Sequence, residues 1–294
     1  MSPIASVDVV IPAHDAAAYL QVTLDSLQQQ TLRPRQVIVV DDGSKDDTAA
    51  IAERNGAVCI RQAQAGPGAA RNRGVAAATA DYVAFLDADD WYALDKLERS
   101  IEHLQELGAN CVATDAWLVR GDRVERRKND RRVVPSVLTM ELLLRGNPIV
   151  CSSVVARREA VVVAGGFDED PELIASEDYD LWLRMAQREP IAYLPEPLTF
   201  YRMHAGSLSA NPRFLRGVDR ILDKVAALHE GEAHFQNLVR RRRADLRLDV
   251  AYDLLCAGQS AEARRVLAEA RQHARSWKGT RMWLRSFLPM RRTS

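Results

Sequence analysis

The chain has 294 residues, 47% of them hydrophobic and 27% charged with zero formal net charge, values ordinary for a folded soluble protein of one large domain or one domain with a helical appendage. Cys59, Cys111, Cys151 and Cys256 lack the spacing of a zinc knuckle or disulfide framework, and no apolar run approaches the ~20 residues that span a bilayer. The zero hides an asymmetry, because residues 211–294 carry 18 Lys and Arg against 9 Asp and Glu, leaving the first 210 acidic.

In chain order, VDVVIPA is a β-branched run suited to a strand covered on both faces. A helix follows with Leu20, Leu24 and Leu27 at helical spacing and Asp15 as N-cap or first-turn acid. RQVIVVDDG is a strand ending in acids, and the next helix is expected to start at a capping Ser44 and stop at Gly56. AVCIRQA, the Ala-rich helix GPGAARNRGVAAATA and the strand DYVAFLDADD complete a βαβαβαβ pattern, which predicts a mainly parallel sheet with helices on both faces.

A helix, ALDKLERSIEHLQELG, leads to the strands of ANCVATDAWLVRG and to DRVERRKNDRRVVP, too charged for core and read as a hairpin or mobile loop. TMELLLRGN is a short helix, VCSSVVARREAVVVAGGFDED one or two strands and a Gly-Gly turn, and ASEDYDLWLRMAQRE a helix. PIAYLPEPLTFYRMHAGSLS reads as edge strands broken by prolines. From about residue 213 the pattern is helix after helix, which gives a first domain over 1–212, with halves 1–105 and 106–212, and a basic helical extension over 213–294. Those helices suit solvent, and are also candidates for peripheral contact with a membrane through Trp277, Trp283, Phe287 and Leu288 among arginines.

In a parallel α/β sheet ligands bind beyond the C-terminal strand ends, where VVIPAHD, VIVVDDGS and VAFLDADD each deliver polar or acidic residues. A dinucleotide fingerprint and a P-loop are both absent. Asp87 and Asp89 suit a hard cation, Mg²⁺ or Mn²⁺, held by one or two carboxylates plus substrate phosphates. The plainer alternative is that Asp89 or Asp90 caps the next helix and Asp87 pairs with an arginine. Glu177 and Asp178 open a helix whose dipole should lower their pKa and keep a base charged, although Glu177 equally suits a cap or a salt bridge. His204 is either an ordinary polar residue, a third metal ligand or a donor to a leaving phosphate.

Six segments, VVIPAHDAAAYLQVTLDSLQQQT, VIVVDDGSKDDTAAIAE, GPGAARNRGVAAATADYVAFLDADD, GGFDED, SEDYDLWLRMA and YRMHAGSLS, resemble in order and spacing the family 2 inverting glycosyltransferases of the GT-A fold over about residues 5–210. That resemblance implies an α/β, GT-A-like, Rossmann-like sheet flanked by helices. It implies that Pro12, Ala13, His14 and Asp15 line the nucleotide pocket, although the family usually has an aromatic and Asn where His14 and Asp15 stand. Asp42 would accept the base's ring N–H, Arg71 would approach base or phosphates, Asp87 and Ala88 would lie near the ribose, and Asp89 would hold the cation on the diphosphate. Asp178 would be the catalytic base, with Gly166, Glu177 and Trp182 on the acceptor side or in support.

The absence of the Q-x-x-R-W element and membrane helices of processive members implies a single sugar transfer from a nucleoside-diphosphate sugar, UDP-linked slightly favoured. The acceptor would be a glycan, a lipid-linked or a small molecule, in surface polysaccharide or glycolipid assembly, with no nucleic acid involved. A signal peptide is not expected from MSPIASVDVVIPAHD, so the expected location is cytoplasmic, extending to the inner face of the cell membrane. Two rivals are a nucleotidyltransferase, which wants a glycine- and basic-rich loop after the first strand, and a non-catalytic nucleotide-sugar or glycan-binding module on the same scaffold.

Overall fold

The computed structural model describes residues 5–203 and 213–287, and His204 and Leu288 lie outside the described residues. Contacts divide the chain into two units, residues 1–143 with 147–217, and 144–146 with 218–294.

The first unit begins with β1 (Val7–Ala13), α1 (Leu20–Gln28), β2 (Gln36–Asp42), α2 (Thr48–Arg54), β3 (Val58–Gln62), α3 (Pro67–Ala77) and β4 (Tyr82–Phe85). These four strands pair in parallel in the order β3-β2-β1-β4. Alternation along the strands sends Val7, Val9 and Ile11 to one face, against Leu20, Leu24 and Leu27 of α1. On the other face α3 approaches β1 so closely that a Cβ on Gly74 would lie 2.3 Å from Val10 Cγ1. A small-residue helix is the only kind that fits there. The sheet continues through β5 (Trp91–Tyr92), α4 (Lys96–Leu107), β6 (Cys111–Arg120), β7 (Arg123–Arg127), β8 (Val137–Leu138), α5 (Met140–Arg145), β9 (Val154–Arg157), α6 (Arg158–Val163), α7 (Glu177–Arg188) and β10 (Ile191–Arg202).

The full order is β3-β2-β1-β4-β9-β6-β10-β5, with β7 on β6 and β8 on β10. β9 is antiparallel to both β4 and β6, whereas β10 is parallel to β6. The C-terminal ends of β1, β2, β4, β6 and β10 therefore share one edge, as the parallel pattern predicts.

Several local expectations are corrected. The α2 helix starts at Thr48, and Ser44 Oγ instead accepts from Asp15 N–H at 2.9 Å. Asp15, at φ +47°, is not a cap of α1; its Oδ1 takes Lys45 N–H at 2.7 Å and ties the β1 loop to the β2 loop. VVV at 161–163 ends a helix rather than a strand, because only Val161 is buried there. The proline-broken edge strands are one strand, β10, lying inside the sheet. Pro195 and Pro197 fall between its partners β8 and β5, where the missing N–H costs no ladder bond on that side, and the register on β6 shifts there.

The second unit contains most of α8 (Arg213–Leu228), then α9 (Ala233–Cys256), α10 (Ser260–His273) and α11 (Trp277–Arg285). Leu248, Ala251 and Leu255 of α9 pack on Ala263, Leu267 and Ala270 of α10 and on Met282 of α11. Its arginines are partly internal: Arg247 makes a two-pronged pair with Asp219 at 2.8 and 3.1 Å, and Arg243 pairs with Asp223. Among the described residues no helix is long and apolar enough to cross a membrane.

Candidate active site

The loop after β4 is built by its own polar contacts. Asp87 O accepts from Asp90 N–H at 3.1 Å to close a turn, and Thr23 Oγ1 lies 2.8 and 2.7 Å from the carbonyls of Ala88 and Asp90. Asp90 is fully buried, and Ser152 Oγ and Arg202 N–H donate to its two oxygens at 2.6 and 2.9 Å. Ser152 Oγ in turn accepts from Asp87 N–H at 3.0 Å. Burial, with the charges of Asp89 and Asp87 beside it, holds Asp90 well above the usual carboxylate range. Asp90 is therefore no helix cap; α4 starts at Lys96, six residues on. Its work is to fix the turn that presents Asp87 and Asp89, and Arg202 adds a 2.9 Å bond from Nε to Asp89 O while lying over the Tyr19 and Trp91 rings.

Arg71 on α3 joins the two acidic clusters. Its Nη2 donates to Asp87 Oδ1 and its Nη1 to Glu177 Oε1, both at 2.6 Å, with the guanidinium 5.3 Å from the centre of the Phe167 ring. Burial alone would lower its pKa, but the surrounding negative groups, Asp87 and Glu177 among them, keep it well above the ordinary value. The arginine partner foreseen for Asp87 and the salt bridge foreseen for Glu177 are thus the same residue. Glu177 is 5% exposed and its Oε2 is buried with no hydrogen-bond partner among the described residues, so this carboxylate is desolvated and relies on Arg71.

Asp178, the next residue, is half-buried at the first turn of α7, and its Oδ1 accepts its neighbour Tyr179 N–H at 2.7 Å. Burial and the adjacent Glu177 charge push its carboxyl up to about 7, with Arg71 working the other way. The helix-dipole expectation of a lowered pKa is corrected: desolvation and a like charge outweigh a dipole effect of about 1 kcal/mol.

The remaining predicted residues divide into scaffold and wall. Asp42 is buried and accepts from Gln62 Nε2, Ala65 N–H and Gly66 N–H, each at 2.8 Å, and so holds the loop that enters α3. Asp41 accepts Ser44 N–H. Pro12 and Ala13 end β1 in register with Val40 and Asp41. The exposed His14 has Nδ1 2.8 Å from the Asp42 carbonyl, which can only accept, so Nδ1 carries the proton and Nε2 accepts from Gln64 at 3.1 Å. Trp182 is fully buried against Phe85 and Phe167 and supports α7 from beneath. Gly166, at φ +67°, leaves room for Asn72, whose Oδ1 a Cβ would meet at 2.6 Å. Asn72 grips the Phe167 backbone on both sides at 2.8 Å, and Arg184 binds Gly166 O, so the GGFDED segment is held in place.

The turn offers hard oxygen donors but no closed cage. One Asp87 oxygen is engaged by Arg71, Asp89 is half-buried, and among the described residues no group of three or more His, Cys, Asp and Glu is disposed to hold an ion. This donor set fits Mg²⁺ or Mn²⁺ shared with substrate phosphates and not a site made of protein alone. Thr23, Asn72, Ser152 and Arg202 were not assigned roles from sequence. Thr23 and Asn72 are ordinary helix residues by pattern, and Ser152 precedes a strand with nothing to distinguish it.

A sheet of this order, with acids at the end of β2 and in the turn after β4, the latter bridged through Arg71 to the start of α7, fits a glycosyltransferase-type α/β enzyme. Residues 8–163 match the model described as Glycosyl transferase family 2, and the chain belongs to that family. It is 30% identical over 212 residues to TuaG of Bacillus subtilis (strain 168), a glycosyltransferase provisionally assigned to teichuronic acid biosynthesis, covering 70% of this chain and 82% of that protein. It is 29% identical over 210 residues to WfaP of Escherichia coli, a UDP-Glc:alpha-D-GlcNAc-diphosphoundecaprenol beta-1,3-glucosyltransferase, covering 70% and 80%.

Solved structures share the fold, two of them as follows. The S. aureus TarS 1–349 complex with UDP-GlcNAc has TM-score 0.64 at 19% identity, over 92% of this chain and 82% of that one. The mannosyltransferase PcManGT from Pyrobaculum calidifontis, in complex with GDP-Man and Mn²⁺, has TM-score 0.63 at 19% identity, over 96% and 79%.

Proposed function

We propose that this glycosyltransferase moves one sugar, with inversion, from a nucleoside-diphosphate sugar to an acceptor hydroxyl in surface polysaccharide or glycolipid assembly. The observation that carries the reading is Asp178, a half-buried carboxyl raised to about 7 beside the Arg71-bridged Asp87 and Glu177. A base whose pKa lies near working pH combines an adequate ionised fraction with real proton affinity. Asp178 takes the proton of the acceptor hydroxyl as its oxygen attacks the anomeric carbon, and the bond to the nucleoside diphosphate breaks on the opposite face. Glu177 stays on Arg71 and keeps Asp178 basic.

Pro12 to Asp15, Ala88 and the loop held by Asp42 form the donor side, and Gly166 and Trp182 support the acceptor side. Asp89, with Asp87, would hold Mg²⁺ or Mn²⁺. When bound, that ion supplies charge neutralisation to the departing diphosphate. A UDP-linked donor is favoured by the names of WfaP and of the TarS complex, and a lipid-linked acceptor by the name of WfaP. The division into a catalytic domain over 1–212 and a basic extension over 213–294 is part of the same proposal. So is work at the inner membrane face, supported by Trp277 of α11, 82% exposed, and Phe287 just past its end, 62% exposed, beside arginines.

The test compares Asp178→Asn with Asp89→Asn against a panel of nucleotide sugars with Mn²⁺. The first should abolish transfer and spare donor affinity, and the second should weaken donor affinity. Equal loss of donor affinity in both would refute the base assignment.

A further inference from the structure

Near its start α8 carries Gly217, a residue type that a helix does not favour. Glycine inside a helix is less favourable than alanine by about 1 kcal/mol. What it provides here is space: a Cβ on Gly217 would stand 2.3 Å from Ser176 Oγ and 2.9 Å from Glu172 O. Gly217 is buried and Ser176 fully so, which leaves the two little room to separate. Both belong to the first unit of the chain.

The loop that meets Gly217 delivers the carboxylates of α7. Asp170 Oδ1 accepts Glu172 N–H at 3.0 Å and Asp170 O accepts Leu173 N–H at 2.8 Å, which closes the turn Pro171–Leu173 over a fully buried Leu173. Ala175 then takes φ +80°, a left-handed conformation that costs a residue with a Cβ about 1 kcal/mol. Ser176 follows in the N-cap position of α7, yet its side chain does not cap the helix. A capping serine ordinarily accepts from the second or third helical N–H. Here Ser176 Oγ turns back and donates to Leu173 O at 3.0 Å, beside its own N–H at 2.8 Å. The third helical N–H, that of Tyr179, goes to Asp178 Oδ1 at 2.7 Å.

These contacts form one chain. Ser176 Oγ lies against Gly217 where a Cβ would stand, and while it lies there the Tyr179 N–H is left to Asp178. The bond from Tyr179 fixes the rotation of the Asp178 carboxyl. Burial and Glu177 oppose its ionisation, and this bond favours it.

We propose that Gly217 is a positioning residue for Asp178: it houses the Ser176 hydroxyl and so reserves the Tyr179 N–H for the Asp178 carboxyl. The inference rests on Asp178 being the base. A side chain at position 217 would expel the hydroxyl, whose ordinary place as an N-cap is the N–H that Asp178 now holds. Asp178 would lose its anchor, while the donor-side residues on the loops after β1, β2 and β4 would keep theirs.

The full-length variants G217A, S176A and G217A/S176A are compared with the unmodified protein. Activity is release of nucleoside diphosphate from the best nucleotide sugar of a panel, with an alkyl glycoside as acceptor and Mn²⁺. Affinity for that nucleoside diphosphate is measured separately. G217A should lower kcat at least about tenfold at unchanged nucleotide affinity, because a small misplacement of a reacting group costs that much. S176A has no hydroxyl to expel and should keep a rate close to the unmodified one, and G217A/S176A should recover most of the loss. In isotope-labelled protein the Tyr179 amide proton should follow the Asp178 titration, except in G217A. The groups facing Asp178 are Glu177 on its own helix, Arg71 from α3, Asp87 from the turn after β4, Lys128 just past β7 and the Cys151 thiol, and none of these variants alters any of them.

A joint fall of kcat and nucleotide affinity in G217A would show a merely structural role and overturn the proposal. So would a Tyr179 amide that still follows Asp178 in G217A. Should G217A not fold, the double variant carries the test: folded and active supports the proposal, and unfolded or inactive overturns it. Transfer that survives Asp178→Asn counts against the base assignment, whereas transfer lost in that variant and kept in G217A counts against this inference alone.

Discussion

Glu177→Gln tests the reasoning about Asp178 with little change of shape. The amide oxygen can still accept from Arg71 Nη1, so the bridge to Asp87 is kept while one buried negative charge is removed. With its carboxyl at about 7, Asp178 is ionised to about a tenth at pH 6, a half at pH 7 and nine tenths at pH 8. The transfer rate at saturating donor should therefore climb nearly tenfold from pH 6 to pH 8 and flatten above. The Glu177 charge is the second cause of the elevation after burial, so the variant should move the acid limb down by about one pH unit and leave the plateau within a few fold. Arg71 loses a strong partner and is drawn more fully to Asp87, which does not reverse the sign. The assay is release of nucleoside diphosphate in the presence of acceptor, from pH 5 to 9. A limb near pH 4 in the unmodified enzyme, or one that stays near pH 7 in Glu177→Gln, would refute the account.

The first half of the fold was legible because its physics is local. β-branched runs of four to seven residues alternating with helical spacing leave few topologies, and the parallel order β3-β2-β1-β4 follows. The second half was less so. β10 reads as broken edge strands because a proline pattern does not reveal that the gap between β8 and β5 falls where the prolines lie. The acids were visible as acids, but not their division of labour. Asp90 differs from Asp89 only through Ser152 and the Arg202 backbone, 62 and 112 residues away in sequence. In the same way Asp178 is raised by burial that no local spacing encodes, so a dipole argument drawn from its position alone gave the wrong direction.

Three further outcomes follow. Asp178→Asn should stabilise the fold at pH 8 more than at pH 5: the folded carboxyl near 7 binds protons that the unfolded one, near 3.8, has lost, so stability falls as pH rises between those values in the unmodified protein and not in the variant. Thermal melts at the two pH values check this, and an equal effect at both would refute it. Gly74→Ala should lower stability by about 1–3 kcal/mol, since its Cβ would stand 2.3 Å from Val10 Cγ1 in a packed layer; an unchanged melting temperature would show that α3 can move away. Asp90→Ala and Asp89→Asn should separate scaffold from chemistry. Removing Asp90 strands Ser152 Oγ and Arg202 N–H in the core, a loss of about 2–3 kcal/mol, and frees the Asp87 backbone that Ser152 holds, so the melting temperature and donor affinity fall together. Asp89 is half-buried and its replacement leaves those bonds in place, so donor affinity should fall with the melting temperature nearly unchanged. If both variants destabilise equally, the turn is a structural unit and Asp89 has no separate claim on the donor.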